Sequence, residues 1–191
     1  MPDLNQLPDP AMTISLLLAD ETATRALGEA LAASLFPGLR IYLRGHLGAG
    51  KTTLVRSILK ALGYQGRVKS PTYTLVELYP LSRLNLYHFD FYRFRDSNEW
   101  REAGFSDYFD HDNVCLVEWP EKAGQNLPDA DLDIALEVLG YGEHVATDIG
   151  TEAVDASLDA HPRRALLRAH SPAGQRCLRS AALSTLQEGF S

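Results

Sequence analysis

Cysteine is scarce: only Cys115 and Cys177 occur in 191 residues, and no CxxC pair exists. Neither a disulfide framework nor zinc or dithiol chemistry is expected. Long apolar runs are missing as well. The stretch over residues 11–19 is too short to cross a bilayer, and it follows Asp3 and Asp9 with no Lys or Arg before it, so neither a membrane anchor nor an ordinary secretory signal is expected and the default compartment is the cytoplasm. Positive charge is in deficit, with 18 Lys and Arg against 25 Asp and Glu and a net charge of −7. That balance argues against holding nucleic acid by bulk electrostatics, while leaving room for a local basic patch. What is present is ordinary for a globular chain, 45% hydrophobic and 23% charged residues. This composition excludes wholesale disorder, collagen and coiled coil, and the length points to one domain.

Along the chain, residues 1–10 hold three prolines and no periodicity and read as a flexible terminus. Residues 12–18 read as a strand. Asp20 can then cap a helix in which Ala23, Leu27, Leu31 and Leu35 recur at every fourth position before Pro37-Gly38. Residues 39–43 form a short buried-strand pattern, and residues 51–62 are helical, with Gly63 at the expected C-cap. Residues 72–79 and 84–89, joined by Pro80-Leu81-Ser82-Arg83, predict a hairpin. A helix-and-loop stretch begins at Ser97, and residues 113–117 predict another buried strand. Residues 132–139 and 143–149 around Gly140-Tyr141-Gly142 predict a second hairpin. Residues 143–159 hold five acids and no Lys or Arg, and residues 163–179 five arginines and no acid. These blocks read as solvated faces, or as a loop followed by an Arg-rich helix.

One segment carries chemistry. Gly45-His46-Leu47-Gly48-Ala49-Gly50-Lys51-Thr52 fits G-x-x-x-x-G-K-[ST] between a predicted strand and a predicted helix. Glycines let the backbone curl until its N–H groups converge on phosphates. Lys51 would neutralise the β- and γ-phosphates, and Thr52 would offer its hydroxyl to Mg²⁺. The competing reading is a glycine turn that binds nothing. A strand-end carboxylate is the usual second Mg²⁺ partner, and Asp90 and Glu118 both qualify, although either residue could instead be a turn or cap acid. Ser70-Pro71-Thr72-Tyr73-Thr74 occupies the chain position of a switch segment closing on the γ-phosphate, or is merely a polar strand entrance. His88 reads as a packed histidine, Trp119 as core or docking aromatic, and Arg93 and Arg95 as phosphate or partner contacts or surface ion pairs.

Four blocks in order resemble the TsaE (YjeE) family: residues 45–53, Val-Lys-Ser-Pro-Thr-Tyr-Thr-Leu-Val over 68–76, Tyr-His-Phe-Asp-Phe-Tyr-Arg over 87–93, and Val-Glu-Trp-Pro over 117–120. The resemblance covers about residues 20–139. It implies an α/β fold, a P-loop NTPase-like mixed sheet flanked by helices with antiparallel hairpins. Residues 11–140 would be the ATPase domain and 141–191 a C-terminal extension packed on it. It also implies an ATPase using ATP and Mg²⁺ that works with TsaD-like and TsaB-like partners in making threonylcarbamoyladenosine in tRNA, with indirect action on tRNA and no membrane. Matched by position, the nucleotide would meet Gly45, His46, Leu47, Gly48, Ala49, Gly50, Lys51, Thr52 and Thr53. Thr24, with Glu21 beside it, would lie near the base. Thr52, Asp90 and Glu118 would surround Mg²⁺, and Lys51, Asp90 and Glu118 would serve catalysis. His46 departs from the family's usual Asp, and the tail is longer between about residues 145 and 164. A small-molecule kinase and a nucleotide-gated binding subunit with little hydrolysis are the rival readings.

Overall fold

A computed structural model describes residues 12–140, 161–180 and 183. Its elements, in chain order, are β1 (Thr13–Leu18), α1 (Glu21–Ser34), β2 (Arg40–Arg44), α2 (Lys51–Ala61), β3 (Val76–Pro80), β4 (Asn85–Asp90), the short α3 (Glu99–Glu102), β5 (Asn113–Glu118), β6 (Leu132–Val138), β7 (Arg163–Ala169) and α4 (Pro172–Leu178). Single-turn 3₁₀ segments at Phe105–Tyr108 and a kinked one at Pro120–Asn126 flank β5.

The strands form one mixed sheet in the order β1-β7-β6-β2-β5-β4-β3. The centre is parallel, β2 pairing with β5 and β6 and β4 with β5, whereas β1–β7, β6–β7 and β3–β4 are antiparallel. Side chains alternate between faces along a strand, so each central strand feeds two cores. On one face, Ile41, Leu43, Leu86, Val114, Leu116, Leu132, Ile134, Ala165 and Leu167 pack with the apolar stripes of α1 and α2. The other face is aromatic: Tyr42, Phe89, Phe91, Phe94, Trp100 and Phe105 cluster with Cys115 and Val117. Both cysteines are buried, free thiols.

Helix α1 begins where expected, because the Asp20 carboxylate accepts from Ala23 N at 2.8 Å. Such a cap contributes about 0.5–2 kcal/mol. Gly28 brings α1 onto α2: a Cβ there would lie 2.5 Å from Ser57 Cβ.

Two expectations need correction and a third is untested. The strand expected from residue 72 starts only at Val76, because Leu75 adopts a positive φ of 67° and its N–H turns back to Pro71 O at 2.6 Å. The Arg-rich block is not a helix throughout. Arg163–Ala169 is the strand β7, and only Pro172–Leu178 is helical. Local propensity favours helix for Arg, Ala and Leu, but backbone pairing with β1 on one side and β6 on the other overrides it. The strand expected at residues 143–149 lies outside the described residues. The described hairpin-like partner of β6 is β7, Val138 facing Arg163.

Candidate functional site

The loop between β2 and α2 is shaped by glycine. Gly45, Gly48 and Gly50 have φ of 136°, 76° and 103°. Gly45 is also pressed against β6, where a Cβ would come within 2.3 Å of Leu136 O. Gly50 precedes α2 without a side-chain cap, so the first-turn N–H groups project from the helix end, the arrangement that favours anions. Within the loop, Ala49 N donates to His46 O at 3.1 Å. The Lys51 ammonium, 4% exposed, donates to Gly45 O at 2.7 Å and His46 O at 2.9 Å and lies 4.0 Å from the centroid of the Trp119 ring. Desolvation lowers the Lys51 pKa, partly offset by the charges of Glu118, Asp90 and Glu121.

Parallel pairing brings the two candidate acids together. Asp90 ends β4, Glu118 ends β5, and they are register partners. By alternation Glu118 shares the face of Leu116, and Asp90 that of Leu86 and His88, which is the face covered by α2. Both carboxylates are 3% exposed. Glu118 Oε1 accepts from Thr52 Oγ1 at 2.9 Å and is 2.9 Å from His88 Nε2. The buried His88 Nδ1 has no hydrogen-bond partner among the described residues. Asp90 Oδ2 accepts from Ser70 Oγ and from Thr72 Oγ1 at 2.8 Å, and its Oδ1 accepts from Tyr92 N at 2.9 Å. The polar segment after Gly66 is thus tied to the strand-end acid.

Other expected residues fall elsewhere. His46 and Leu47 are exposed, and His46 contributes its carbonyl to the loop. Thr53 O accepts from Ser57 Oγ at 2.9 Å. Thr24 is buried on α1, its hydroxyl bonded to Asp20 O at 3.2 Å, and Glu21 pairs with Arg25. Neither hydrogen-bonds to the loop among the described residues. Arg93 stacks on the exposed Tyr73, 4.2 Å from its ring centroid.

Two contacts were not foreseen. Arg163, 2% exposed at the start of β7, donates from Nε to Ala49 O at 3.0 Å beneath the loop. Nothing in the spacing of the arginines singles it out. Trp119 caps Lys51 because its own φ is 58°, a reversal directly after β5. The alternation of His88 with Asp90 could have flagged the histidine as facing the site.

The family model described as "Threonylcarbamoyl adenosine biosynthesis protein TsaE" matches residues 18–144. The chain belongs to the TsaE family. Its relatives include the TsaE protein of Haemophilus influenzae, 43% identical over 122 residues, covering 62% of this chain and 77% of that protein. TsaE of Bacillus subtilis is 39% identical over 124 residues, with 65% and 77% covered. Both carry the name tRNA threonylcarbamoyladenosine biosynthesis protein. The crystal structure of Bacillus subtilis YdiB superposes with a TM-score of 0.68 at 24% identity, over 96% of this chain and 99% of that one. The P-loop fold of the family is therefore the fold of this chain, and its pathway is tRNA threonylcarbamoyladenosine biosynthesis.

Among the described residues no group of three or more His, Cys, Asp and Glu side chains could hold a metal by itself. One hydroxyl and two adjacent carboxylates nevertheless fit Mg²⁺, which is commonly held by one or two carboxylates together with substrate phosphates. No described helix is long and apolar enough to cross a membrane.

Proposed function

We propose that this TsaE-family chain is a cytoplasmic ATPase that binds ATP and Mg²⁺ and hydrolyses ATP to ADP and phosphate, working with TsaD-like and TsaB-like proteins in threonylcarbamoyl transfer to tRNA. The observation that carries the reading is the pairing of Asp90 with Glu118 at the carboxyl ends of adjacent parallel strands, with Thr52 of the glycine loop bonded to Glu118. Ligands of open α/β sheets bind at such strand ends. The glycine loop and the uncapped start of α2 would receive the phosphates, and Lys51 would exchange its bonds to Gly45 O and His46 O for phosphate oxygens. Thr52, Asp90 and Glu118 would hold Mg²⁺, which when bound neutralises charge on the transferred phosphoryl group. Glu118, hydrogen-bonded to Thr52 and His88, would orient the attacking water, and Asp90 would link that centre to Ser70 and Thr72.

Basal turnover is expected to be low. Lys51 is engaged with its own loop and Asp90 with the switch-like segment, so both need rearrangement before hydrolysis, and a partner that favours the rearranged state raises the rate in proportion to its population. Phosphate release measured for the chain alone and with purified TsaD-like and TsaB-like proteins tests this. Stimulation that disappears in Lys51→Ala is the expected outcome. Equal rates with and without the partners, with no association on a sizing column, would sink the reading in favour of a small-molecule kinase.

A further inference from the structure

At the far end of α2 from the glycine loop lies an open cavity of about 480 Å³ lined by Arg56, Lys60, Tyr64, Gln65, Gly66, Arg67, Val68 and Lys69. Along α2, Arg56 lies five residues and Lys60 nine residues beyond Lys51, about 7–8 Å and 13–14 Å at 1.5 Å per residue, so the cavity opens on the C-terminal half of the helix and shares no lining residue with the glycine loop. Four cations and no acid line it, in a chain where Asp and Glu outnumber Lys and Arg by 25 to 18.

The placement follows from local structure. Arg56 and Lys60 are four residues apart on the exposed side of α2, where like charges repel and cost a few tenths of a kcal/mol. A single lysine in the last turn would complement the helix dipole, and that accounts for Lys60 alone. Beyond the helix, Gly63 turns the chain back, and Tyr64 packs edge-on against Tyr79 with centroids 4.9 Å apart, giving the cavity an aromatic wall. Val68 is anchored in the core at 7% exposure, which throws its neighbours Arg67 and Lys69 outward. All four cations are exposed, and among the described residues none is in an ion pair or side-chain hydrogen bond.

We propose that this cavity binds the phosphate backbone of RNA, the tRNA on which the pathway acts, through Arg56, Lys60, Arg67 and Lys69. A pocket for a single small anion draws buried donors onto one point. Here the cations are exposed and spread around an open groove, which suits successive phosphates of a strand beside an aromatic wall. The inference rests on the family's pathway and on this surface, independently of ATP hydrolysis, and it adds a direct RNA contact to a chain otherwise read as acting on tRNA through partners. Lys69 immediately precedes Ser70, so the strand would lie one residue from the segment bonded to Asp90.

The test is fluorescence anisotropy of an end-labelled tRNA transcript with the full chain over a series of salt concentrations, without nucleotide. The parent should bind, with log affinity falling linearly against log salt. Arg56→Gln/Lys60→Gln and Arg67→Gln/Lys69→Gln should each weaken binding roughly tenfold or more at low salt and flatten the slope by about 1.4–1.8, at about 0.7–0.9 per phosphate contact. Melting temperatures should stay at the parental value, since all four side chains are at the surface. Lys51→Ala should bind the transcript as the parent does, which separates this surface from the nucleotide site. Absence of binding by the parent, or unchanged affinity and slope in both double variants, overturns the proposal. So does calorimetric binding of pyrophosphate, in place of the transcript, that the double variants abolish, because the cavity would then be a small-anion pocket.

Discussion

Asp90 and Glu118 are equally buried carboxylates with different company: Asp90 is bonded by two hydroxyls and a backbone N–H, and Glu118 by Thr52 and a fully buried histidine. Amide replacements keep their shape and remove the charge that would hold an ion or orient water. Asp90→Asn and Glu118→Gln should therefore each lower partner-stimulated phosphate release by about 10²–10⁴-fold, with nucleotide affinity in calorimetry changing far less. Parental turnover in both variants would leave the pair as structural acids. A second prediction concerns the thiols. Burial pushes Cys115 and Cys177 from 9.0 up to about 12, and Tyr79 from 10.0 up to about 12. Groups whose folded pKa is raised contribute stability that is fully present below the unfolded value. Between about pH 9 and 12 the unfolded chain releases these protons first, so stability falls as pH rises through that window. Lys51, lowered by desolvation, acts in the opposite sense as one group against these three. Urea midpoints should be lower at pH 10.5 than at pH 8, and an Ellman assay at pH 8 should find both thiols slow until the chain is unfolded.

At the scale of elements, the site depends on how closely α1 holds α2, because α2 carries Lys51 and Thr52 at its first turn. The contact is set at Gly28, whose missing Cβ makes room for Ser57. Gly28→Ala gains intrinsic helix propensity, yet it inserts a methyl group where 2.5 Å is available, so the expected net result is destabilisation by about 1–3 kcal/mol. Adding Ser57→Gly removes the opposing Cβ and should recover part of that loss. Denaturant unfolding of both single variants and the double variant measures the coupling, and additive effects would show that the helices do not meet there.

At the scale of the whole molecule, β7 ties the sheet together. It lies between β1 and β6, and β7 is the sheet partner of β1 among the described residues. It also places Arg163 under the glycine loop. A chain ending at Gly140 would lose β7 and α4, leave unpaired the backbone edges of β1 and β6 that bond to β7, and leave Ala49 O without its Arg163 donor. Loss of the cooperative thermal transition by circular dichroism is expected for that truncation, and a parental melt would show that the first 140 residues fold independently.

Much of the site was legible from the order of residues, because its parts are local. A strand, a glycine loop and Lys51-Thr52 opening a helix occupy one short segment, and the tight curl of the glycine backbone between strand and helix imposes their spacing. The cap at Asp20 and the acids ending β4 and β5 are equally local signals. The remainder depended on pairing between distant segments. That Asp90 stands beside Glu118 follows from the parallel register of β4 on β5, and that His88 joins them follows from the face which α2 covers. Arg163 and β7 were hidden for the same reason. Arg163–Ala169 carries local helix propensity, and only backbone hydrogen bonds to strands far away along the chain make it a strand and bring its first side chain beneath Ala49. Side-chain chemistry is written residue by residue, whereas register is settled by burying two cores at once, which no single segment encodes.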